Sequence, residues 1–319
     1  MPLILTAGAN DSGRRLDRIL RKALRQTPLS AIHRMLRQGL VLVGGCKADA
    51  GRRVLSGETI TVLNMETEAE CEDFASGPAE AKASGSLPAL EILFEGSGLL
   101  ILNKPAGLSA HGRGSLDGLV QSYLAPKLPP SLSFSPGPLH RLDKPSSGIL
   151  VFSASLEGAR LFSGMMHEGI IKKEYLAVVE GKIEKTEDWE DELFRDTKIK
   201  KTFTEDQIEN NHEQLKGKHA VTSIRLLITN KSCSLALFKI ETGRTHQIRA
   251  QAASRGHPLL GDRKYGASPL SGGFLLHAWR LYLPPPFPQM IEAPLPENFK
   301  TTVKKLFGTG IQSARYFQY

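Results

Sequence analysis

From Ala89 onward the chain advances in short apolar runs: Glu91 to Phe94, Leu99 to Asn103, Gly148 to Phe152, Tyr175 to Val179 and Ser232 to Ile240. Turns containing Gly or Pro break off each one. Runs of this length suit strands and are too short for core helices. One clear helical stretch interrupts them, around Leu156 to Glu168. Strand and helix therefore do not alternate regularly, which argues against a doubly wound parallel sheet. The fold class expected is α+β, a mainly antiparallel mixed sheet with flanking helices. No internal repeat of solenoid length is present.

The first sixty residues obey a different pattern. Leu16, Ile19, Leu20, Ala23 and Leu24 recur at helical spacing, and Arg14, Arg18, Arg21, Lys22 and Arg25 fill the opposite side. The spacing predicts a second helix with Ser30 as N-cap, burying Ile32, Met35 and Leu36 and ending at Gly39. Leu40 to Val43 and Glu58 to Leu63 read as strands, with Gly44-Gly45 as a turn. Residues 1–63 thus form a small αα-plus-hairpin module. Residues 64–88 hold six acidic residues and one Lys among Ala, Ser, Gly and Pro, with almost nothing to bury, and read as a flexible acidic linker. Residues 89–319 make up the larger domain.

Charge sharpens the view of the module. The chain carries 41 Lys and Arg against 33 Asp and Glu, a net +8. Between Arg14 and Arg53 alone there are eleven basic residues and only Asp17 and Asp49, so the excess sits in that one stretch. A scattered +8 would be a solvated surface; a cluster implies a polyanionic partner, RNA or DNA. Cys46, Cys71 and Cys233 lie far apart without CxxC spacing, which argues against disulfides and zinc and fits a reducing cytoplasm. No run approaches the length of a membrane span. A monomer without membrane attachment is the expectation.

Walker, GxGxxG, GxSxG and HExxH signatures are missing, so nucleotide-cofactor, serine-hydrolase and zincin chemistries lose support. Two polar clusters remain. His140 to Phe152, HRLDKPSSGILVF, places His, Arg and Asp before a constrained turn and an apolar strand. Gly243 to Gly266, GRTHQIRAQAASRGHPLLGDRKYG, packs Arg244, His246, Gln247, Arg249, Arg255, Arg263 and Lys264 among glycines, and such a density of donors suits anion contact. Singly, Arg141 with Asp143 reads equally well as a surface ion pair, and His246 or His257 as a structural histidine.

Together these stretches resemble the RluA family of pseudouridine synthases, and within it the RluC-type ribosomal RNA enzymes. His140-Arg141-Leu142-Asp143 with Ser147-Gly148 matches the HRLDxxTSG loop, Lys173 to Ala177 the KxYxA strand, and Gly243 to Gly266 the GRxHQIR...GxPxxGDxxYG segment. Asn103 to Gly107 and Leu276 to Ala278 match further landmarks, so the resemblance covers most of residues 90 to 285. Ser146 stands for the family's common Thr and Gln251 for a frequent His. The module resembles the small α-L-type RNA-binding domain, with Gly44 where an Asn is usual.

The resemblance implies isomerisation of uridine to pseudouridine in structured RNA, with large-subunit ribosomal RNA the favoured substrate. It makes residues 89–319 the catalytic domain and Asp143 the catalytic carboxylate, acting by attack on uracil or ribose or by taking a ribose proton. The reaction has no net redox or hydrolysis, so neither metal nor organic cofactor is expected. Because a buried carboxylate is costly unless paired, Arg249 is expected to form an ion pair with Asp143. Extruding the base assigns Arg141 to the vacated space and Tyr175 to stacking on uracil. Arg14, Arg15, Arg18, Arg21, Arg34 and Arg37, with Arg244 and His246, are expected to contact RNA. The alternatives are an inactive RNA-binding or ribosome-assembly factor, a synthase acting on transfer RNA, and an aspartate-nucleophile hydrolase, for which no second carboxylate or metal set stands at a convincing spacing.

Overall fold

A computed structural model of the chain describes residues 2–63, 89–112, 114–207 and 216–308. The acidic segment 64–88 lies outside them.

The N-terminal module contains β1 (Leu3–Thr6), β2 (Arg14–Arg15), α1 (Leu16–Ala23), α2 (Leu29–Arg37), β3 (Val41–Val43), β4 (Cys46–Lys47), β5 (Arg53–Val54) and β6 (Thr59–Val62). Four strands form a sheet in the order β1-β6-β3-β4. Leu16, Ile19 and Leu20 of α1, Ile32 and Leu36 of α2, and Val41, Val43, Ile60 and Val62 of the sheet close one core. Gly44 and Gly45 both take positive φ, 58° and 80°, as a two-residue hairpin between β3 and β4 requires. Ser30 is not the N-cap of α2. The helix starts earlier, at Leu29 after Pro28, whose carbonyl accepts from the Ala31 and Ile32 amides at 3.0 and 3.1 Å. Proline's fixed φ sets up that first turn without a side-chain cap.

The larger domain follows as β7 (Ile92–Gly96), β8 (Leu99–Lys104), α3 (Leu116–Leu124), β9 (Ser147–Ser153), α4 (Leu156–His167), β10 (Lys172–Glu180), β11 (Glu187–Asp196), β12 (Lys201–Thr204), β13 (Lys218–Thr229), β14 (Cys233–Ile240), α5 (Gln247–Ser254), β15 (Leu276–Tyr282), β16 (Met290–Glu292) and α6 (Glu297–Phe307). Its sheet runs β12-β11-β13-β14-β10-β15-β9-β8-β7, with β16 beside β15. Among the described residues only β9 and β15 pair in parallel; every other pairing in the sheet is antiparallel.

Both faces of the central strands are covered, which is why they read as unbroken apolar runs rather than alternating ones. In β8 and β9, Leu99, Ile101, Ile149 and Val151 turn to the face packed by Phe162 of α4 and Ile248 of α5. Leu100, Leu102, Leu150 and Phe152 turn to the face packed by Leu116, Val120 and Leu124 of α3. Gly148 sits where β9 meets β15. A Cβ there would collide with the Ala278 carbonyl, and its φ is +102°.

The charged stretch 182–218, whose position the sequence leaves open, contributes β11 and β12, with residues 208–215 outside the described set. Trp189 and Leu193 alone among the β11 side chains are buried.

The module is not merely tethered. Buried Asp11 accepts from the hydroxyls of Ser131 and Ser133 at 2.7 and 2.6 Å, and from the Leu132 and Ser133 amides at 2.9 Å. Asn10 accepts the Leu156 amide at 3.0 Å, and Leu132 packs on the module's core. These contacts join the module to the segment 131–133 and to the start of α4.

Candidate active site

The loop from Leu139 to Ser146 precedes β9 and is pinned on both sides. The Leu139 amide donates to the Val151 carbonyl at 2.8 Å, and the Ser146 amide donates to the Asp143 carbonyl at 3.0 Å. The Val151 amide donates to His140 Nε2 at 3.1 Å, which leaves Nδ1 to carry the imidazole proton. Burial, and next the charge of Lys173, push the His140 pKa down to about 3, so the ring is neutral. From the other side, fully buried Lys104 donates to the carbonyls of Pro105, Leu108 and Lys144 at 2.9, 2.8 and 3.2 Å. It thereby ties the Asn103 to Gly107 turn to this loop, and burial lowers its pKa to about 8.

Asp143, held by these bonds, faces α5. Arg249 Nη1 donates to its Oδ2 at 2.6 Å, the ion pair anticipated from the sequence. The same guanidinium grips buried Asp262 with Nε at 2.6 Å and Nη2 at 2.8 Å. It also lies 5.0 Å from the Tyr265 ring centroid and 4.4 Å from that of Phe274. Burial alone would lower the pKa of Arg249, but the hydrogen bonds and charges of Asp262 and Asp143 raise it instead. Asp262 and Tyr265 stand in the GDRKYG run of the sequence, yet nothing local marks them as supports of Arg249.

His246 takes a left-handed conformation, φ 57°, immediately before α5, and its Nε2 lies 3.6 Å from Asp143 Oδ1. Its Nδ1 meets the Tyr265 hydroxyl at 3.0 Å and Arg195 Nη1 at 3.4 Å. Burial, followed by the nearby Arg249, Arg195 and Lys264, outweighs Asp143 and brings its pKa to about 4. The contact with Asp143 is thus one of a neutral imidazole, not an ion pair. His246 lines the pocket.

Asp143, His246 and Arg249 line a cavity of about 290 Å³ together with Arg141, Ser146, Lys173, Tyr175 and Arg244. That is at the small end of ligand sites and suits one small group rather than an extended ligand. Tyr175 is only 7% exposed, on the core side of β10, and burial raises its pKa. Arg141 and Arg244 are exposed, the latter donating to the His219 carbonyl at 2.8 Å. On the module Arg18, Arg21, Arg34 and Arg37 are exposed, and Arg15 pairs with Asp17 at 2.8 Å. Arg14, expected to face RNA, instead donates to the carbonyl and hydroxyl of Ser133 at 2.6 and 3.1 Å. Among the described residues no group of three or more His, Cys, Asp or Glu is placed to hold a metal ion, and no helix is long and apolar enough to cross a membrane.

A sheet with helices on both faces, and a cavity whose one lining carboxylate is held by arginine, make an arrangement suited to an enzyme site. Residues 98–254 match the family model described as RNA pseudouridylate synthase. The ribosomal large subunit pseudouridine synthase D of Nitrosomonas europaea is 34% identical over 95% of this chain and 87% of its own. The synthase C of Escherichia coli is 28% identical over 95% and 96%. In fold, human RNA Pseudouridylate Synthase Domain Containing 4 superposes with a TM-score of 0.55 at 22% identity, over 68% of this chain and 92% of that one. The chain belongs to the RNA pseudouridylate synthase family. It is an RluC-like isomerase within it.

Proposed function

We propose that the protein isomerises specific uridines of large-subunit ribosomal RNA, with Asp143 as the catalytic carboxylate. The observation that carries this reading is the Asp143 carboxylate, 17% exposed at the wall of the cavity and held at 2.6 Å by Arg249. The names of its relatives support the choice of RNA. A ribosomal uridine must leave its stack to reach this pocket. Arg141, exposed at the rim, fills the space it vacates, and Tyr175 forms a flat wall for uracil.

The Arg249 ion pair holds Asp143 aimed into the cavity. As a carboxylate it attacks uracil or ribose, or removes a ribose proton, and each route loosens the carbon–nitrogen bond so that the base can turn and rejoin through C5. Residues 1–63 act as an RNA-binding domain through Arg18, Arg21, Arg34 and Arg37, which position phosphates while the pocket selects the base. Residues 89–319 form the catalytic domain.

The test is pseudouridine mapping on transcripts of large-subunit ribosomal RNA and of transfer RNA, incubated with the wild-type protein or Asp143→Asn. Position-specific pseudouridine in the ribosomal transcript, made by wild type alone, is the expected result. Product only in transfer RNA would replace the substrate, and equal product from Asp143→Asn would remove Asp143 from the chemistry.

A further inference from the structure

The pocket holds a second buried cation, Lys173, that neither the Arg249 network nor the docking of the module employs. Lys173 and Tyr175 lie two residues apart on β10, so their side chains leave the same face of the strand, and both line the cavity. Lys173 is only 7% exposed. Its ammonium reaches the wall formed by the segment before α5, for a Cβ added at Gly243 would stand 3.6 Å from Nζ.

What surrounds that nitrogen is poor in acceptors. Among the described residues its one hydrogen-bond partner is the Met166 sulfur at 3.8 Å, a weak acceptor. His140 is neutral, and Tyr175 is a phenol whose ionisation burial suppresses. Burial lowers the Lys173 pKa, and no carboxylate offsets that effect. Glu174, next in sequence, leaves the opposite face and accepts from the Tyr282 hydroxyl at 3.1 Å. Asp143 is already engaged by Arg249. A buried ammonium is expensive unless paired, so a site that retains one without a counter-ion is poised for a negative charge that arrives with the ligand.

The reaction supplies such a charge. When C1′–N1 breaks, both bonding electrons stay with the base, giving a uracil anion shared among N1 and the ring carbonyl oxygens. Attack of the carboxylate on the ring likewise pushes electrons onto a carbonyl oxygen. The charge disappears when C5 bonds to C1′, after which C5 gives up its proton and N1 gains one. Every route open to Asp143 therefore passes through a negatively charged uracil. Charge that develops in a dry pocket is stabilised best by a donor already in place.

We propose that Lys173 is a catalytic residue, its ammonium donating to a ring carbonyl oxygen of the extruded uracil and holding the negative charge that the base acquires during isomerisation. Lys173 acts as a hydrogen-bond donor and transfers no proton. Tyr175 supports the face of the ring while Lys173 contacts its edge. The inference rests on the reading of the protein as a uridine isomerase.

Lys173→Met preserves length and removes the charge. In single-turnover assays on a large-subunit ribosomal RNA transcript it is expected to slow pseudouridine formation by about 10²–10³-fold. RNA affinity should stay within about twofold and the melting temperature should not fall, since a buried unpaired charge has been removed. Lys173→Arg is expected to recover at least about tenfold of the rate, a factor worth about 1.4 kcal/mol of transition-state stabilisation. A transcript carrying 5-fluorouridine separates a chemical role from a structural one. Its uracil anion is intrinsically more stable, so the Lys173→Met defect in consuming it should be smaller than with uridine. Wild-type rates in Lys173→Met would overturn the proposal, as would a loss of rate that tracks a loss of affinity or is equal for the two bases. A wild-type protein that makes no pseudouridine would instead overturn the underlying reading and take the proposal with it.

Discussion

Arg249 joins Asp143 and Asp262 through a single guanidinium, with one nitrogen on the first carboxylate and two on the second. Asp262 is 1% exposed in its side chain and Asp143 17%, so the pair that anchors is buried and the pair that reacts is open to the pocket. Asp262→Ala leaves a buried cation half-compensated and should destabilise the fold by about 3–5 kcal/mol. Pseudouridine formation should also fall, because Arg249 is then free to move and carry Asp143 with it. Urea denaturation and single-turnover assays on the same preparation check both, and unchanged stability would refute the anchoring role.

Acid sensitivity follows from three neutral histidines. His140 has its pKa lowered to about 3, and His246 and His277 to about 4, with burial the leading cause in each. The unfolded chain protonates them near 6.5 while the folded chain does not, so their contribution to stability is present above 6.5 and is lost as pH falls toward 4. Each contributes up to about 1.4 kcal/mol per pH unit in that window. Urea midpoints should decline from pH 6.5 to 4, and a flat profile would show that these rings ionise in place.

The module's arginines divide into two sets with different readouts. Replacing Arg18, Arg21, Arg34 and Arg37 by Ala should weaken RNA binding and reduce the salt slope, by about 0.7 for each single-strand phosphate that is no longer neutralised. Arg14→Ala should leave that slope unchanged, since Arg14 is committed to Ser133. Titrating RNA at several salt concentrations separates the sets. An equal change in slope from Arg14 would mean that it reaches phosphate after all.

At Asp11, hydrogen bonds from Ser133, Leu132, Ser131 and Gly8 outweigh the effect of burial and lower the pKa. A depressed carboxylate stabilises above its ordinary value near 3.8 and loses that contribution as pH falls through the folded pKa. Asp11→Ala should therefore loosen the module at neutral pH, leaving buried donors of residues 131 to 133 unsatisfied at about 1–3 kcal/mol each. Limited proteolysis between residues 63 and 89 should quicken and release the module from the catalytic domain. Fragments that stay associated as tightly as in the wild type would show that Asp11 does not hold the interface.

The sequence by itself determined the amphipathic α1, the Gly44-Gly45 hairpin, the apolar strands β8, β9 and β14, and the α+β class, because each depends on periodicity or turn chemistry within a few residues. The family motifs placed Asp143, Tyr175 and Arg249 in one site, and charge physics anticipated the Asp143–Arg249 pair. Residues 182–207 stayed illegible because β11 buries only Trp189 and Leu193 amid charged neighbours, too sparse an apolar signal for a strand. Pro28 displaced the expected N-cap by backbone geometry that a side-chain rule does not see.

Tertiary structure alone decided which distant groups meet. Asp262 behind Arg249, Arg195 and Tyr265 against His246, and Asp11 under residues 131 to 133 are separated by 13 to 122 residues in the chain. Local spacing fixes which way a side chain points; sheet order and helix packing fix what it meets, and the pocket's charges take their values from those meetings.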